Sequence, residues 1–558
     1  MLAMAMLFFT ARGQNLDQIG VKQGIKVSGG INASGTFYSS SDTVKRRSPF
    51  TSIISGNFNL SLYGYSMPFT FTYSSMNKGY TQPFNRFAFT PQYKWVKAYV
   101  GYSSMTFSDY TLAGHTFFGG GLELTPGNWN VGLMYGRLRK AVQYNADSRV
   151  TPSFTRMGYG VKVGYHKETD GVDICVFSAK DDVGSVQQLP PDGSLAPLQN
   201  LAISVTAKKQ LFKHWLIDAE YAVSALDGNI TQKEGSTASP QGSNLAGTFL
   251  KATANTRYFD AFNGGAGYQA TRWGLMLRYE RIAPDYQTLG SYYCNNDMQN
   301  FTLAPNVNML DGRLSASANV GLQTDNLDHS KASTSKRMVG SCNINFIPSE
   351  KWVTSVAYSN FTGYTKVRPQ VDPNYQSETD SLDFYQINNN LNGTVGYSFG
   401  EKEAPQSVML NLSYQKASDH SNREGGSNTS NFISANASYT YAIAKAGFSV
   451  TPSANFNRND ASGIESIFVG PALSIGKTLL KNKLRLSLSE GYSATLINSS
   501  NAGSILNSGL SCAYSPASNA KGKQSLSLGV NLQNRFKGAA GGRNLSELTT
   551  ILTYSYRF

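Results

Sequence analysis

The chain has 558 residues, of which 40% are hydrophobic and 15% charged, and its formal net charge is +14. Its 53 glycines, 32 tyrosines and 30 phenylalanines fit neither a typical globular enzyme nor a disordered chain. The basic residues are dispersed and do not interleave with stacking aromatic residues, so we expect no nucleic-acid binding. The composition is typical of a wall of β-strands that is apolar on one face and wet on the other.

The N-terminus has the pattern of a secretion signal. Met1–Thr10 is an apolar run, and Ala11 and Gly13 place small residues where a signal peptidase cleaves. Cleavage is therefore expected before Gln14, and the missing basic start leaves open a longer signal that begins before Met1. The run is too short for a spanning helix, which needs about 20 apolar residues. The sequence predicts a signal peptide over residues 1–13 and a single β-barrel over residues 14–558.

Alternation of apolar and polar residues begins near Gly24 and continues along almost the whole chain. Phe58, Leu60 and Leu62, for example, alternate with Asn and Ser, which predicts a strand with two unlike faces. Residues 65–68 (Tyr-Ser-Met-Pro) are predicted to connect two such strands tightly, because proline suits a turn better than a paired strand.

The clearest predicted hairpin comes next in the chain. His115–Thr125 and Trp129–Val142 flank the turn Pro126-Gly127-Asn128. Strands of the same kind follow to the C-terminus, and about 22–26 are expected in all. An even number is typical of a bacterial single-chain barrel.

Short and long connections alternate in the second half of the chain. Ile347–Glu350 and Leu480–Lys483 are short, whereas Thr365–Asp383, Lys416–Asn428 and Asn459–Gly463 are long and polar. Membrane barrels have short periplasmic turns and long external loops, so this alternation favours a membrane barrel over a soluble sandwich.

Charged residues indicate which face of the predicted strands meets lipid. Leu484, Leu486 and Leu488 alternate with Arg485, and an arginine facing lipid at mid-depth would cost roughly 2–4 kcal/mol. The leucine face is therefore predicted to face lipid and the arginine face a wet lumen. By the same reasoning Lys162 is predicted to face the lumen, and Val161, Val163 and Tyr165 are predicted to face outward.

The predicted fold is all-β, a single large antiparallel transmembrane barrel with long external loops and short periplasmic turns. A barrel of this width leaves an open lumen unless a segment fills it. The candidate fillers are Asp181–Gln199 and Pro284–Asn300, the second of which is too irregular for a wall strand. We predict that Pro284–Asn300 forms a lumen constriction or partial plug; the alternative is an ordinary external loop. The predicted constriction residues are Asp285, Tyr286, Tyr292, Tyr293 and Asp297.

The last stretch, Ser546–Phe558, alternates with a period of two. Its mostly apolar face ends in Tyr554, Tyr556 and Phe558. This pattern resembles the C-terminal membrane-insertion signal of outer-membrane β-barrels, which the barrel-assembly machinery recognises during biogenesis.

Three stretches resemble a large family of outer-membrane β-barrel proteins of Bacteroidota-type bacteria. They are Phe107–Phe117 (FSDYTLAGHTF) running on to Met134–Arg137, then Asn200–Ala225, and Arg278–Gly290 (RYERIAPDYQTLG) with Asn295–Asp297 following. The resemblance implies a barrel fold and a location in the outer membrane. It brings no established activity, so no functional residues are carried over from it.

No pattern in the sequence indicates catalysis, a cofactor or a metal. The five histidines form no metal-ligand spacing, and His115 is predicted to be a rim or lumen residue. Gly119-Gly120-Gly121 lacks the Lys-Ser/Thr and helix of a phosphate-binding loop and is predicted to be a strand kink. Cys175, Cys294, Cys342 and Cys512 form no CxxC pair, and we expect free thiols or at most one bridge. The chain is therefore predicted not to be an enzyme.

The leading hypothesis is a passive or gated outer-membrane channel for small solutes. The net charge of +14 suggests that these solutes are anionic. The alternative is a non-enzymatic scaffold for assembly or secretion that works with envelope protein partners. Other expected partners are outer-membrane lipid and lipopolysaccharide. A secreted soluble β-protein such as an adhesin is a third hypothesis, and it would have to stay soluble without detergent.

Overall fold

The structure is a computed structural model. It describes residues 25–42, 47–75, 85–145, 151–191, 193, 195–231, 255–330, 334, 336–360, 387–418, 429–461, 463–516, 522–539 and 543–558. Within these residues nearly all regular structure is β-strand, and the exceptions are two short 3₁₀ turns, Val183–Ser185 and Leu310–Gly312. No helix among the described residues is long and apolar enough to cross a membrane.

The strands follow one another along the chain, and two of them, Arg86–Phe89 and Gln92–Tyr93, are much shorter than the others. They are β1 (Lys26–Ser40), β2 (Phe50–Leu62), β3 (Tyr65–Ser74), β4 (Arg86–Phe89), β5 (Gln92–Tyr93), β6 (Val96–Thr106), β7 (Ala113–Leu124), β8 (Trp129–Arg139), β9 (Thr155–Lys167), β10 (Asp170–Asp182), β11 (Gln199–Leu211), β12 (Trp215–Asp227), β13 (Thr256–Gln269), β14 (Trp273–Ile282), β15 (Met298–Met309), β16 (Leu314–Asp325), β17 (Lys336–Phe346), β18 (Trp352–Ser359), β19 (Ile387–Glu401), β20 (Ala404–Ser418), β21 (Thr429–Ile443), β22 (Phe448–Ala461), β23 (Ile464–Leu479), β24 (Leu484–Ile497), β25 (Ser500–Tyr514), β26 (Lys523–Lys537) and β27 (Leu545–Arg557). Most of these strands are long enough to cross a bilayer, which takes about 9–11 tilted residues.

The sheet closes on itself. Neighbouring strands pair antiparallel in chain order, with β4 and β5 both lying between β3 and β6. The last strand, β27, returns to pair with β1, from Gly30 opposite Arg557 to Ser40 opposite Glu547. Because β4 and β5 are two pieces of one wall position, the result is a closed 26-strand barrel. The predicted fold class and even strand number are confirmed.

The wall is interrupted at Pro91. Pro91 separates β4 from β5, because it has no N–H to donate to a neighbouring strand. The expected tight connection at residues 65–68 is wrong. These residues belong to β3, and the turn is made by Tyr63 and Gly64, whose φ angles are +47° and +85°. Gly64 suits this turn because it has no Cβ to clash at a positive φ.

The two ends of the barrel differ as the sequence predicts. Short turns such as Leu480–Lys483 lie at the end that also holds the start of β1 and the end of β27, and the longer connections lie opposite. The expected long loop at Asn459–Gly463 is wrong, because β22 runs to Ala461 and β23 starts at Ile464. Thr365–Asp383 lies outside the described residues, and so does Lys416–Asn428 apart from the end of β20.

The outward face carries an apolar band with an aromatic border. All five tryptophans of the chain lie at the short-turn end with partly exposed rings. They are Trp95, Trp129, Trp215, Trp273 and Trp352, exposed at 48%, 52%, 48%, 49% and 41%. Aromatic girdles of this kind mark the membrane–water interface in transmembrane barrels. The outward face is therefore suited to lipid.

The predicted assignment of faces is confirmed on β9. Val161, Val163 and Tyr165 point outward with 40%, 39% and 45% exposure. Lys162 points inward, where its Nζ lies 3.5 Å from the Asp173 carboxylate and donates to the carbonyl of Phe107 at 3.4 Å.

The seam between β1 and β27 gives a first testable prediction. Phe558 exchanges backbone hydrogen bonds with Gly29 at 3.0 and 3.1 Å, and its ring packs 5.8 Å from the ring of Phe58. Phe558→Ala should keep the backbone bonds and lose the ring contact, which is worth about 0.5–1.5 kcal/mol beyond the area that the ring buries.

We expect Phe558→Ala to lower the folded fraction in a refolding assay followed by heat-modifiable gel migration. Phe212→Ala, in a short turn at 86% exposure, is the matched control and should refold like the parent. Equal yields for both variants would show that the ring contact does not support closure.

Candidate functional site

Two connections of the long-loop end fold inward and meet. The first, residues 107–112, joins β6 to β7, and the second, residues 283–297, joins β14 to β15. We call them the first and second inner segments. The Tyr286 hydroxyl donates to the Tyr110 carbonyl at 2.6 Å, and the Thr288 hydroxyl donates to the Thr111 carbonyl at 2.8 Å. Because β7 to β14 separate the two segments along the wall, they meet across the inside of the barrel.

The first inner segment packs against the inner wall at Phe107. Its ring lies over Gly132 of β8 and Gly160 of β9, where a Cβ would come within 3.0 and 2.7 Å of the ring. These two glycines therefore make room for the ring, and a larger residue would displace it. The Phe107 carbonyl also accepts from the inward-facing Cys175 thiol at 3.5 Å.

An apolar core forms where both inner segments touch the wall. Leu112 and Leu289, one from each segment, are 0% and 2% exposed and belong to the same cluster as Phe117 and Phe177. Full burial of such side chains contributes roughly 1.5–3 kcal/mol each. The inner segments are therefore held by a small hydrophobic core inside the barrel.

Polar side chains of the wall bind the first inner segment. The Tyr110 hydroxyl donates to Oε1 of Glu280 at 2.8 Å, while Asn300 donates to the other carboxylate oxygen at 2.9 Å. The Ser204 hydroxyl donates to Ser108 at 2.8 Å. Glu280 thus links the first inner segment to β14 and β15.

The second inner segment is bound by β11 and β12. Oδ1 of Asn200, which is 0% exposed, accepts from the backbone N–H of Leu289 at 3.1 Å. The Ser224 hydroxyl donates to the Gln287 carbonyl at 2.6 Å and accepts from Asn200 at 2.8 Å. These contacts satisfy buried backbone groups that would otherwise cost about 1–3 kcal/mol each.

The three stretches singled out by the family resemblance come together at this site. Phe107–Phe117 supplies the first inner segment, Asn200–Ala225 supplies the polar side chains of β11 and β12, and Arg278–Gly290 supplies Glu280 and the second inner segment. The sequence gives no reason for their proximity, because they lie far apart along the chain. The family resemblance itself stays a prediction.

The predicted constriction residues fall into two groups. Tyr286 and Asp297 are buried at 1% and 5% exposure, and Asp297 accepts from the backbone of Leu327 at 2.8 Å. Tyr292 and Tyr293 are exposed at 62% and 54%, and Asp285 lies 3.7 Å from Arg257 at the surface of the segment. Tyr286 and Asp297 thus hold the segment in place. The Tyr292 hydroxyl also accepts from the backbone N–H of Thr116 at 3.2 Å, while Tyr293 and Asp285 lie at the surface of the segment.

Burial fixes the protonation of the two central phenols. Burial raises the pKa of Tyr286 well above its ordinary value. The pKa of Tyr110 is raised in the same way, first by burial and then by the Glu280 charge. Both hydroxyls therefore remain neutral donors throughout the physiological pH range.

The other predicted filler, Asp181–Gln199, lies beside the inner segments. Its Leu198 packs against their core, and Asp181, with 0% side-chain exposure, accepts from Arg156 at 2.7 and 2.9 Å and from Arg139 at 3.2 Å. The paired carboxylate anchors this segment because it also accepts from the backbone N–H of Leu198 at 3.1 Å.

The structure also gives the positions of the other residues singled out in the sequence. His115 points inward at 8% exposure and stacks on Tyr292 with a centroid distance of 4.0 Å. Gly119–Gly121 lies in the middle of β7. All four cysteines are free thiols. Among the described residues no three His, Cys, Asp or Glu side chains lie close enough to hold a metal ion.

The inner wall is covered on one side and open on the other. Around β7 to β12 its side chains are buried, as His115, Phe117 and Cys175 show at 8%, 0% and 0% exposure. On β19 and β20 the inward-facing Asn392 is exposed, and Met409 is exposed at 44%. Within the described residues the inner segments therefore fill one side of the lumen only.

Some residues of this site were missed in the sequence. Ser108, Asn200, Ser224 and Glu280 were not singled out individually, although all lie in the three resembling stretches. Glu280 and Asn200 occupy inward positions of alternating strands, which is the signal that could have found them. Their partners lie on distant strands, so the pairing itself leaves no local pattern.

No model of a known protein family matches this chain, and no curated protein matches it significantly. Solved structures match over nearly the whole chain at low similarity. The P pilus usher translocation pore matches 95% of this chain and 99% of its own at 10% identity and a TM-score of 0.38. A mutant ferric enterobactin receptor of Pseudomonas aeruginosa matches 96% and 81% at 10% identity and a TM-score of 0.42.

A siderophore receptor of Acinetobacter baumannii gives a similar result, with 96% of this chain and 80% of its own covered at 9% identity and a TM-score of 0.40. Similarity at this level carries no argument about function. The function must be argued from the barrel and its lumen.

The apolar core of the inner segments can be tested with Leu289→Ala. Removing this buried side chain should cost about 2–5 kcal/mol, because the surrounding groups relax only partly into the cavity. We expect faster backbone hydrogen exchange in residues 107–113 and 283–297, measured by mass spectrometry, with unchanged exchange in β19–β23.

Leu303→Ala is the matched control. Leu303 lies on the neighbouring β15 and faces outward at 44% exposure, so its loss should leave exchange in both inner segments unchanged. Equal exchange in Leu289→Ala and the parent would mean that this core does not hold the segments.

Proposed function

We propose that this protein is an outer-membrane channel for small solutes. One observation carries the proposal: a closed 26-strand barrel with an apolar outer face has, within its described residues, a lumen that the inner segments fill on one side only. A barrel of this width leaves an aqueous lumen unless it is plugged. The short-turn end with its tryptophans lies in the periplasmic interface, and lipid and lipopolysaccharide surround the outer face.

The second inner segment is the constriction of this channel. It lies inside the wall and is fixed by Tyr286, Thr288 and Leu289, while Tyr292 and Tyr293 are exposed at its surface. Anchoring by several buried hydrogen bonds favours a passive pore with a fixed constriction over a freely moving gate.

Ion selectivity should be weak. The sequence suggests anionic solutes because the net charge is +14. On the inner wall, however, three cations have acidic partners: Arg278 lies 2.9 Å from Asp218, Lys162 lies 3.5 Å from Asp173, and Arg156 lies 2.7 Å from Asp181. Paired charges produce little net field in the lumen, so the preference for anions is expected to be small.

Single-channel recording of the detergent-folded protein in a planar bilayer tests the proposal. We expect stable conductance steps with slight anion preference. Replacing residues 286–296 by a short Gly-Ser linker should raise the conductance, because the linker leaves the inner wall uncovered. Phe212→Ala, which changes a short-turn residue exposed at 86% at the end of the barrel opposite the inner segments, is the control and should stay close to the parent.

Two results would contradict the proposal at different points. Heat-modifiable gel migration shows whether the linker variant is folded. Unchanged conductance in the folded variant would mean that the second inner segment is not the constriction. Silence from the folded parent protein would mean a plugged lumen and would favour the alternative function, a scaffold for assembly or secretion, to be pursued by searching for stoichiometric envelope partners.

A further inference from the structure

The open side of the inner wall carries an uncharged polar surface. Among the described side chains, every inward-facing position of β19 to β23 is occupied by an uncharged residue, mostly Ser, Thr, Asn or Gly. The covered side differs, since Lys162, Asp173, Asp218 and Arg278 face inward there. The covered side of the lumen thus carries charged side chains, whereas the open side carries uncharged polar ones.

A ladder of side-chain hydrogen bonds runs across this surface. The register places Thr394, Asn411, Asn436 and Asn455 opposite one another on β19, β20, β21 and β22. Thr394 donates to Asn411 at 3.0 Å, Asn411 donates to Asn436 at 3.4 Å, and Asn436 donates to Asn455 at 2.6 Å. We call these four residues the amide track.

The amide track has hydrogen-bonding capacity to spare. A carboxamide has two N–H donors and an oxygen with two lone pairs. In the ladder Asn411 and Asn436 each donate once and accept once, which leaves one donor and one lone pair on each for a solute. Both side chains are only half-buried, so a solute in the lumen can reach them.

Neighbouring side chains extend the track. Ser413 donates to Asn392 at 2.8 Å in the adjacent row. The inward-facing Met409, exposed at 44%, adds an apolar contact beside these polar groups.

We propose that the amide track binds uncharged polyhydroxylated solutes, of the chemical class of sugars, during their passage through the lumen. A sugar hydroxyl both donates and accepts, which matches the spare donor and lone pair of each amide, and its C–H faces suit Met409. An anion would find the spare amide N–H donors but no positive charge among the described inward-facing side chains of β19 to β23. This inference rests on the proposed channel function and names its solute class.

The test uses the full-length protein in planar bilayers, with sucrose and a polyethylene glycol of equal hydrodynamic size as probes. Polyethylene glycol accepts hydrogen bonds but has almost no donors, so it reports exclusion by size alone. We expect sucrose to reduce the ionic current with saturation and polyethylene glycol to reduce it without saturation.

The double variant Asn411→Leu, Asn436→Leu keeps side-chain volume and removes the amides. The half-saturating sucrose concentration should rise about three- to tenfold, the factor that loss of one hydrogen bond gives. Asn59→Leu, which removes an amide paired with Ser66 at 3.0 Å on β2, is the matched control and should match the parent.

A second variant keeps the proposal testable if the double variant does not fold. Asn436→Asp is nearly isosteric and adds one negative charge, so it should shift the reversal potential toward cation selectivity if the amide track lines the conducting path. An unchanged reversal potential, or an unchanged sucrose response in the double variant, would overturn the amide track while leaving the channel intact. A parent protein that conducts no ions would overturn both proposals together.

Discussion

Backbone hydrogen bonding in a medium without water is the constraint on which this structure depends. Lipid cannot satisfy an exposed N–H or carbonyl group, so a strand wall in a membrane must have no free edge. The chain meets this requirement by returning β27 to β1, with the last strand paired from Glu547 to Arg557. Closure also gives every strand an outer face toward lipid and an inner face toward the lumen.

A closed wall of this size encloses a wide interior, which stays open unless part of the chain fills it. The chain fills one side of it by folding two connections inward and giving them a core of their own, with Leu112 and Leu289 at its centre. Glycines on β8 and β9 let the ring of Phe107 approach the wall. The inner segments are therefore packed as a protein core is packed, with buried polar groups paired through residues such as Asn200 and Glu280.

The opposite side of the lumen follows a different principle. Its inward-facing residues bond to one another along rows of the register, as in the ladder from Thr394 to Asn455, and they leave capacity for water or solute. Ion pairs hold the covered side, where burial makes an unpaired charge costly. The lumen is therefore asymmetric among the described residues, with a packed side and a polar, more open side.

The sequence by itself determined the barrel and its faces, because strand alternation and the cost of a charge in lipid are local properties. Lys162 was correctly assigned to the lumen on this basis. Short turns were located less well, as residues 65–68 show, because a proline within a wall strand has the same local pattern as one in a turn. The number of strands could be bounded but not fixed.

Only the tertiary structure decided how the lumen is filled. Tyr286 and Tyr110 are 176 residues apart and meet because closure brings β6 and β14 around the same interior. The sequence indicated that residues 284–300 are too irregular for the wall, but not what they pack against. Contacts across a lumen depend on the curvature and register of all intervening strands, and these appear in no local pattern of residues.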